Sequence, residues 1–319
     1  MKELAMQKKI YIVGILILTV VGVNFLYLSW ANQEVPVQQE LIAGATPIRD
    51  EKSAYVFPLS EASYIPFLDA TIPRPNLTAK AAIVYDMQTS RYLYEQDVQK
   101  QLPIASLTKI MSAVIVLEKM NPDEIATIPK QAVRVDELEQ DLFIGERIRV
   151  DNLMTMMLIE SSNDAAYALA AHAQAKGFDM ISAMNLKARD LGMRNTRFLD
   201  AAGLNDNGHS TAEDLAKLVY YALRYKEIWT LLQEKEMTVT SEDGKITHTV
   251  LNTNQLLGTI PNISGGKTGY TDTALGCMIL IVDIPGHKDK IISVILGSQD
   301  RFGDTRSLVE WITEAYRWE

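Results

Sequence analysis

An uninterrupted apolar segment near the N-terminus is the feature that most constrains this chain. Residues Ile10–Trp30 are almost wholly apolar and carry no charge, and the first charge after them is Glu34. Their length of 21 residues matches the roughly 20 that an α-helix needs to cross a bilayer. The lysines before the segment are Lys2, Lys8 and Lys9. The positive-inside rule therefore predicts a cytoplasmic tail over residues 1–9 and a transmembrane anchor over residues 10–31 of a single-pass protein of the cytoplasmic membrane, with the rest of the chain on the extracytoplasmic side.

A cleaved signal peptide is the alternative interpretation of the same segment. Ser29-Trp30-Ala31 has the small-x-small pattern of a cleavage site. The apolar core of a signal peptide is usually about 7–15 residues long, so the greater length here favours an uncleaved anchor. With either interpretation the remainder of the chain is exported.

Residues 32–76 have the composition of a stalk. They hold six of the 11 prolines of the chain and show no long apolar periodicity. Such a segment is typical of a tether that holds a folded domain away from a membrane. Packing of its later part, around Ala54–Phe67, on the surface of the domain stays open as an alternative.

Composition excludes several classes of function. The single cysteine, Cys277, permits neither an intrachain disulfide nor a cysteine-based zinc site, and the four histidines form no HExxH pair. The net charge of −9 argues against nucleic-acid binding, which needs clustered Lys and Arg. We therefore expect a globular exported domain over residues 77–319 without a nucleic-acid partner.

The order of apolar patterns along residues 77–319 predicts an α/β domain. Strands are predicted near both ends and helices between them, which indicates an antiparallel sheet completed by both chain ends, with an inserted helical lobe. The predicted strands are Ala81–Tyr85, Arg91–Tyr94, Glu236–Thr240, Thr247–Val250, Cys277–Asp283 and Ile291–Leu296. The predicted helices are Ser106–Met120, Asn152–Glu160 with Asp151 as its cap, Asp164–Ala173, Met180–Leu191, a helix from the Ser210–Glu213 capping box to Tyr225, and Thr305–Tyr316.

The first chemically informative motif is Ser106-Leu107-Thr108-Lys109 at the start of a predicted helix. A spacing of three places the Ser106 hydroxyl and the Lys109 amine on one helix face. A serine becomes a good nucleophile only with a base in reach, and a lysine can be that base only if burial or nearby cations lower its pKa. The motif alone is also compatible with an ordinary helix start that carries a surface lysine.

Two further motifs follow. Ser161-Ser162-Asn163 lies between two predicted helices, where polar residues are usually caps. Lys267-Thr268-Gly269 precedes an apolar strand, and on an edge strand it would offer a cation and a hydroxyl to a carboxylate. A phosphate-binding P-loop is excluded there, because Pro261 occupies the position of its first glycine.

Taken together, the three motifs carry a family resemblance. They occur in the order SxxK, SxN and KTG, and the chain resembles the penicillin-recognising serine acyl-transferases. It is most similar to the low-molecular-mass penicillin-binding proteins that are D-alanyl-D-alanine carboxypeptidases, peptidase family S11, over about Leu77–Gln299. The fold implied is the β-lactamase/DD-peptidase-like sheet flanked by helices. The stretches that resemble the family are Pro103–Lys109, Ser161–Ala166, His209–Ala216, Asn252–Leu257 and Gly266–Thr271.

The resemblance implies roles for the catalytic set. Ser106 would attack the carbonyl between two D-alanines of a peptidoglycan stem peptide and form an acyl-enzyme, while Lys109 accepts its proton. Ser161 would bridge Lys109 and the leaving amine, and Asn163 would orient Lys109 and the substrate amide. Water would then hydrolyse the acyl-enzyme.

The resemblance also implies a substrate-binding set. The set is Lys267, Thr268, Gly269 and Tyr270. Lys267 and Thr268 would hold the terminal carboxylate, and the backbone N–H groups of Ser106 and Tyr270 would form the oxyanion hole. No metal or organic cofactor is implied. β-Lactams would acylate Ser106, because they mimic the D-Ala-D-Ala carbonyl.

Other activities compete with the carboxypeptidase. A D,D-endopeptidase that cuts peptidoglycan cross-links uses the same machinery and differs in how open its cleft is. A class A β-lactamase needs a deacylating glutamate, and the stretch Arg197–Asn205 contains none. A non-catalytic wall-binding protein would not need three intact motifs.

Two departures from the family pattern stand out. Ser162 occupies a position that is often glycine in the family. The sequence also indicates no C-terminal β-domain, so we expect the N-terminal segment to take over membrane attachment.

Overall fold

The computed structural model describes residues 65–135 and 142–318. The predicted tail, the anchor over residues 10–31 and most of the predicted stalk lie outside these residues. Within them, no helix combines the length and apolar character that a membrane crossing requires.

A five-stranded antiparallel sheet forms the centre of the fold. Its strand order is β3-β2-β10-β9-β8, and these strands span Tyr92–Gln96, Ala81–Asp86, Lys290–Ser298, Leu275–Asp283 and Ile263–Thr271 respectively. Strands β2, β9 and β10 read as continuous apolar runs because helices cover both faces. Ala81 and Ile83 pack into one apolar cluster, whereas Ala82 and Val84 pack into another on the opposite face. The prediction that both ends of the domain contribute strands to one antiparallel sheet is confirmed.

A helical lobe is inserted between β3 and β8, as predicted. Its helices are α1 (Thr108–Lys119), α2 (Val150–Ile159), α3 (Asn163–Ala175), α4 (Met180–Asp190), α5 (Ala212–Ala222) and α6 (Lys226–Leu231). Two small two-stranded antiparallel sheets belong to the same insertion, β4 (Ile125–Thr127) with β5 (Arg147–Arg149), and the hairpin of β6 (Glu236–Thr240) with β7 (Thr247–Leu251). A last helix, α7 (Arg301–Ala315), packs on the face opposite the lobe.

Most helix starts lie within two residues of the predictions, but the last helix begins at Arg301, four residues before the predicted Thr305. A short 3₁₀ turn, Ala105–Leu107, precedes α1, so Ser106 lies on that turn. Asp151 lies in the first turn of α2 and does not cap it. Helix α5 is capped by Thr211, whose hydroxyl accepts from Asp214 N at 3.0 Å, and not by Ser210. Tertiary contacts select among neighbouring polar residues, so local sequence alone leaves the cap ambiguous.

The described chain begins with a strand inside the segment predicted as a stalk. Strand β1 (Pro66–Leu68) pairs antiparallel with β11 (Tyr316–Trp318) at the other end of the chain. The folded unit therefore starts ahead of the predicted boundary at Leu77, and the predicted last helix ends at Ala315 because Tyr316 begins a strand. A three-residue strand has too little periodicity to be detected without its partner.

Candidate active site

Ser106 lies on a turn held tightly from several sides. The preceding residue, Ala105, has a left-handed backbone with φ of +46°. Gly203, with φ of +84°, passes so close to this turn that a Cβ on it would lie 1.9 Å from the carbonyl oxygen of Ala105. A non-glycine residue in this conformation costs free energy and persists only where its surroundings enforce it.

Lys109 connects the first two motifs. Its side chain is fully buried, and its Nζ donates to Ser106 Oγ at 2.7 Å and to Asn163 Oδ1 at 2.6 Å. A third hydrogen bond runs from Lys109 Nζ to the carbonyl oxygen of Ala202 at 3.2 Å. The structure therefore places a buried amine within hydrogen-bond reach of the serine, as the spacing predicts.

The second motif sits at the junction of α2 and α3. Ser162 caps α3, and its Oγ accepts from Ala165 N at 3.1 Å. Asn163, the first residue of that helix, points its amide oxygen to Lys109. Ser161 has a left-handed backbone with φ of +69°, and its Oγ accepts from Lys267 Nζ at 2.8 Å. Lys109 and Lys267 therefore both bind to the α2–α3 junction, Lys109 through Asn163 and Lys267 through Ser161.

Lys267 lies on the edge strand β8 and is 1% exposed. Burial lowers the pKa of its ammonium well below the usual value, and the charges of Lys109 and Arg301 lower that pKa further. A buried, destabilised ammonium gains more from an incoming anion than a solvated one. The position therefore suits a carboxylate.

The next residues of β8 lie close to the other two motifs. Thr268 Oγ1 lies 2.5 Å from Thr253 Oγ1. A Cβ on Gly269 would come within 3.1 Å of both Ile104 O and Ser106 N, so the strand backbone lies directly against the turn that carries Ser106. Tyr270 follows with a side chain that is 56% exposed. The structure therefore brings the third motif to the first two.

Comparison with known proteins identifies the family of this chain. The family model described as D-alanyl-D-alanine carboxypeptidase matches residues 69–300. The chain belongs to the peptidase S11 family. A relative, the D-alanyl-D-alanine endopeptidase of Escherichia coli K12, is 31% identical over 251 residues, which cover 76% of this chain and 79% of the relative.

Two other comparisons bear on the site of this S11 peptidase. The D-alanyl-D-alanine carboxypeptidase DacF of Bacillus subtilis 168 is 32% identical over 213 residues, which cover 63% of this chain and 53% of the relative. The structure of penicillin-binding protein D2 from Listeria monocytogenes in its cefotaxime-bound form is 33% identical, with a TM-score of 0.63. That comparison covers 75% of this chain and 99% of the other.

A loop of this S11 peptidase that was not predicted from the sequence reaches Lys109. The carboxylate of Asp200 accepts backbone N–H bonds from Ala202 at 2.7 Å, Leu204 at 3.2 Å and Asn205 at 2.7 Å, and also from Gly203. These bonds aim the Ala202 carbonyl at Lys109. An Asp followed three residues later by Gly is a signal for such a turn, but it does not indicate where the loop docks.

Arg301 was also missed. It comes from the start of α7, and its guanidinium lies 5.9 Å from the centre of the Tyr270 ring. Its charge contributes to the lowered pKa of Lys267. It lies 34 residues beyond Lys267 along the chain, and no local pattern marks it.

The part of the chain that the structure describes holds no set of side chains that could bind a metal ion. Over residues 65–135 and 142–318, no group of three or more His, Cys, Asp or Glu side chains is arranged to hold a metal ion.

Proposed function

We propose that this S11 peptidase is a serine-type D-Ala-D-Ala carboxypeptidase acting on peptidoglycan stem peptides. The observation that carries the proposal is the 2.7 Å contact between the buried Lys109 Nζ and Ser106 Oγ, which supports a nucleophile paired with its base. In the neutral form Lys109 accepts the Ser106 proton as Oγ bonds to the carbonyl carbon between two D-alanines. The C–N bond then breaks, the proton passes to the leaving amine, and water hydrolyses the ester.

The oxyanion would be stabilised by backbone N–H groups. Our candidates are those of Ser106 and Tyr270, and the close approach of Gly269 to Ser106 N supports them. Donors arranged in this way typically contribute about 3–4 kcal/mol each to transition-state stabilisation. Because they belong to the 3₁₀ turn and to β8, they need no rearrangement when the charge develops.

The terminal carboxylate would bind at Lys267 and Thr268. The buried ammonium of Lys267 and the hydroxyl of Thr268 support this assignment, and Arg301 adds positive potential nearby. Ser161 would bridge Lys109 and the leaving amine, and its Oγ also accepts from Lys267 Nζ at 2.8 Å. Asn163 would hold Lys109 through its amide oxygen.

The lowered pKa of Lys267 predicts a pH dependence of substrate binding. Below that pKa the ammonium is present and attracts the carboxylate, and as the pH rises through it the charge is lost. We expect KM for a stem pentapeptide to rise on the alkaline side by up to about tenfold per pH unit. Measuring KM between about pH 7 and 10 tests this, with the C-terminal amide of the same peptide as an uncharged competitive inhibitor for comparison. An amide whose inhibition constant follows the same profile would contradict the assignment.

A D,D-endopeptidase is the second candidate. A specific observation favours it, because the Escherichia coli relative named an endopeptidase matches this chain over 79% of its own length. A β-lactamase is disfavoured because Asp200, the acidic residue of Arg197–Asn205, has its carboxylate engaged by backbone N–H groups of its own loop. A non-catalytic wall-binding role does not account for the Ser106–Lys109 contact.

Membrane attachment is part of the proposal. The charge pattern around residues 10–31 supports an anchor that holds the catalytic domain on the extracytoplasmic side. On that side the domain would have access to peptidoglycan and to β-lactams. Detergent-free fractionation and the intact mass of the native protein test it. A soluble form lacking about 31 residues would show a cleaved signal peptide instead.

The deciding experiment compares two substrates. The full-length protein is incubated with a stem pentapeptide ending in D-Ala-D-Ala and, separately, with a cross-linked muropeptide dimer. We expect free D-alanine from the pentapeptide and little conversion of the dimer. Conversion of the dimer to monomers without release of D-alanine would establish the endopeptidase. No turnover of either substrate and no acylation by penicillin would show that the catalytic proposal is wrong.

A further inference from the structure

An exposed aspartate, Asp206, connects the loop that follows Asp200 to the end of strand β8. Asp206 Oδ1 accepts from Thr271 Oγ1 at 3.0 Å, and Asp206 Oδ2 accepts from Thr273 Oγ1 at 2.7 Å. Thr271 is the last residue of β8, and Thr273 lies in the turn that leads to β9. The Asp206 carboxylate therefore connects its own loop to the end of the edge strand through two hydrogen bonds.

The strand end that Asp206 holds is the one next to Tyr270. Thr271 Oγ1 also accepts from Ala274 N at 3.0 Å, so the same hydroxyl shapes the turn and meets the carboxylate. Two residues before it, Gly269 lies against the backbone of Ser106. A shift of the β8 end would move the Tyr270 N–H relative to the serine.

The loop that carries Asp206 reaches Lys109 at its other end. Asp200 organises this loop through bonds to its backbone N–H groups, the last of which is that of Asn205. The Ala202 carbonyl of the same loop accepts from Lys109 Nζ. The segment from Asp200 to Asp206 therefore links the proposed base to the proposed oxyanion strand.

These contacts close into a ring around the serine. The ring passes from Ser106 to Lys109, then to Ala202, along the loop to Asp206, across to Thr271, and back through Gly269 to Ser106. We propose that Asp206 is a positioning residue, which sets the distance between the loop that holds Lys109 and the strand that carries the Tyr270 N–H. The inference rests on the proposed function, because it assigns the effect to acylation of Ser106.

The position of Asp206 makes the inference testable. Asp206 and Thr273 are exposed, so removing either leaves no buried polar group unsatisfied and the fold is retained. Removing the contact is expected to displace the reacting atoms, and small displacements there lower the reaction rate strongly. This loss of rate should appear in the acylation step and not in initial binding.

The test measures acylation of Ser106 by benzylpenicillin in the full-length protein, resolved into the dissociation constant and the acylation rate constant. We expect Asp206→Ala to lower the rate constant about 5- to 30-fold with little change in the dissociation constant. Asp206→Asn, which keeps an oxygen acceptor for one hydroxyl, is expected to recover most of the rate. Thr273→Val is expected to give a partial loss, and adding it to Asp206→Ala is expected to lower the rate no further.

Asp243→Ala is the matched control. Asp243 is also exposed and fastens a surface turn, accepting from Ser241 Oγ at 2.9 Å and from Lys245 N at 3.1 Å, but it lies in the β6–β7 hairpin outside the ring. We expect the Asp243→Ala variant to have the same Tm as Asp206→Ala. Its acylation rate constant should equal that of wild type. Equal acylation rates for wild type and Asp206→Ala, or additive losses with Thr273→Val, would overturn the inference and leave the proposed function standing. Failure of the wild-type protein to be acylated would overturn the proposed function itself.

Discussion

Replacing Ser106 with alanine is expected to abolish both release of D-alanine and acylation by β-lactams. The hydroxyl is the only group that the proposal places to form the covalent intermediate, and Lys109 Nζ lies 2.7 Å from it. Loss of a nucleophile of this kind typically lowers kcat by at least about 10⁴-fold. Free D-alanine from a stem pentapeptide and the mass of the protein after incubation with penicillin measure the two effects.

Folding of the Ser106→Ala variant is checked by its Tm. Ser106 lies on a short 3₁₀ turn, and its hydroxyl makes one hydrogen bond to a lysine that keeps two other acceptors. We therefore expect a Tm close to that of wild type, so that lost activity reflects lost chemistry. A penicillin adduct on the variant would mean that another residue is the nucleophile.

Replacing Lys109 with methionine is expected to lower the acylation rate by at least about 10³-fold while Ser106 stays in place. Methionine fills the buried space without offering a base. The variant also removes this donor from Asn163 Oδ1 and from the buried Ala202 O, and a buried acceptor left without its donor costs about 1–3 kcal/mol of stability. Stopped-flow acylation measures the rate, and chemical denaturation measures the stability.

Lys187→Met is the matched control for this variant. Lys187 is 19% exposed, and its Nζ lies 2.8 Å from a Glu118 carboxylate oxygen in the helical lobe, away from Ser106. Its replacement should lower stability and leave acylation unchanged. If Lys109→Met retained acylation within tenfold of wild type, the proton would have to leave Ser106 by another route.

Much of the fold was predictable from local sequence. The apolar runs of β2, β9 and β10 and the helical periodicities of α1 and α4 lie within a few residues of their predicted bounds. Burial on both faces of a central strand leaves a continuous apolar run, which local sequence records. Helix α6 was not predicted, because its six residues are too few to show a helical period.

In the candidate site, too, contacts between residues close in sequence were predictable and contacts between distant residues were not. The sequence predicts the Ser106–Lys109 contact from a spacing of three on one helix face, and the contact forms although Ser106 lies on the 3₁₀ turn ahead of the helix. The contact of Ser161 with Lys267 joins residues 106 positions apart, and the loop that Asp200 organises reaches Lys109 from 93 positions away. No local pattern encodes such distances.

The sequence by itself determined six of the strands, including four of the five in the central sheet, most helices, the three motifs, the family resemblance and the expectation of an exported domain. The anchor over residues 10–31 stays a prediction. Only the tertiary structure decided that Lys267 meets Ser161, that Asp206 ties the loop to the end of β8, and that Arg301 lies beside Tyr270. The reason is physical: periodicity and spacing report contacts within one element, whereas these contacts arise where elements distant in sequence pack together.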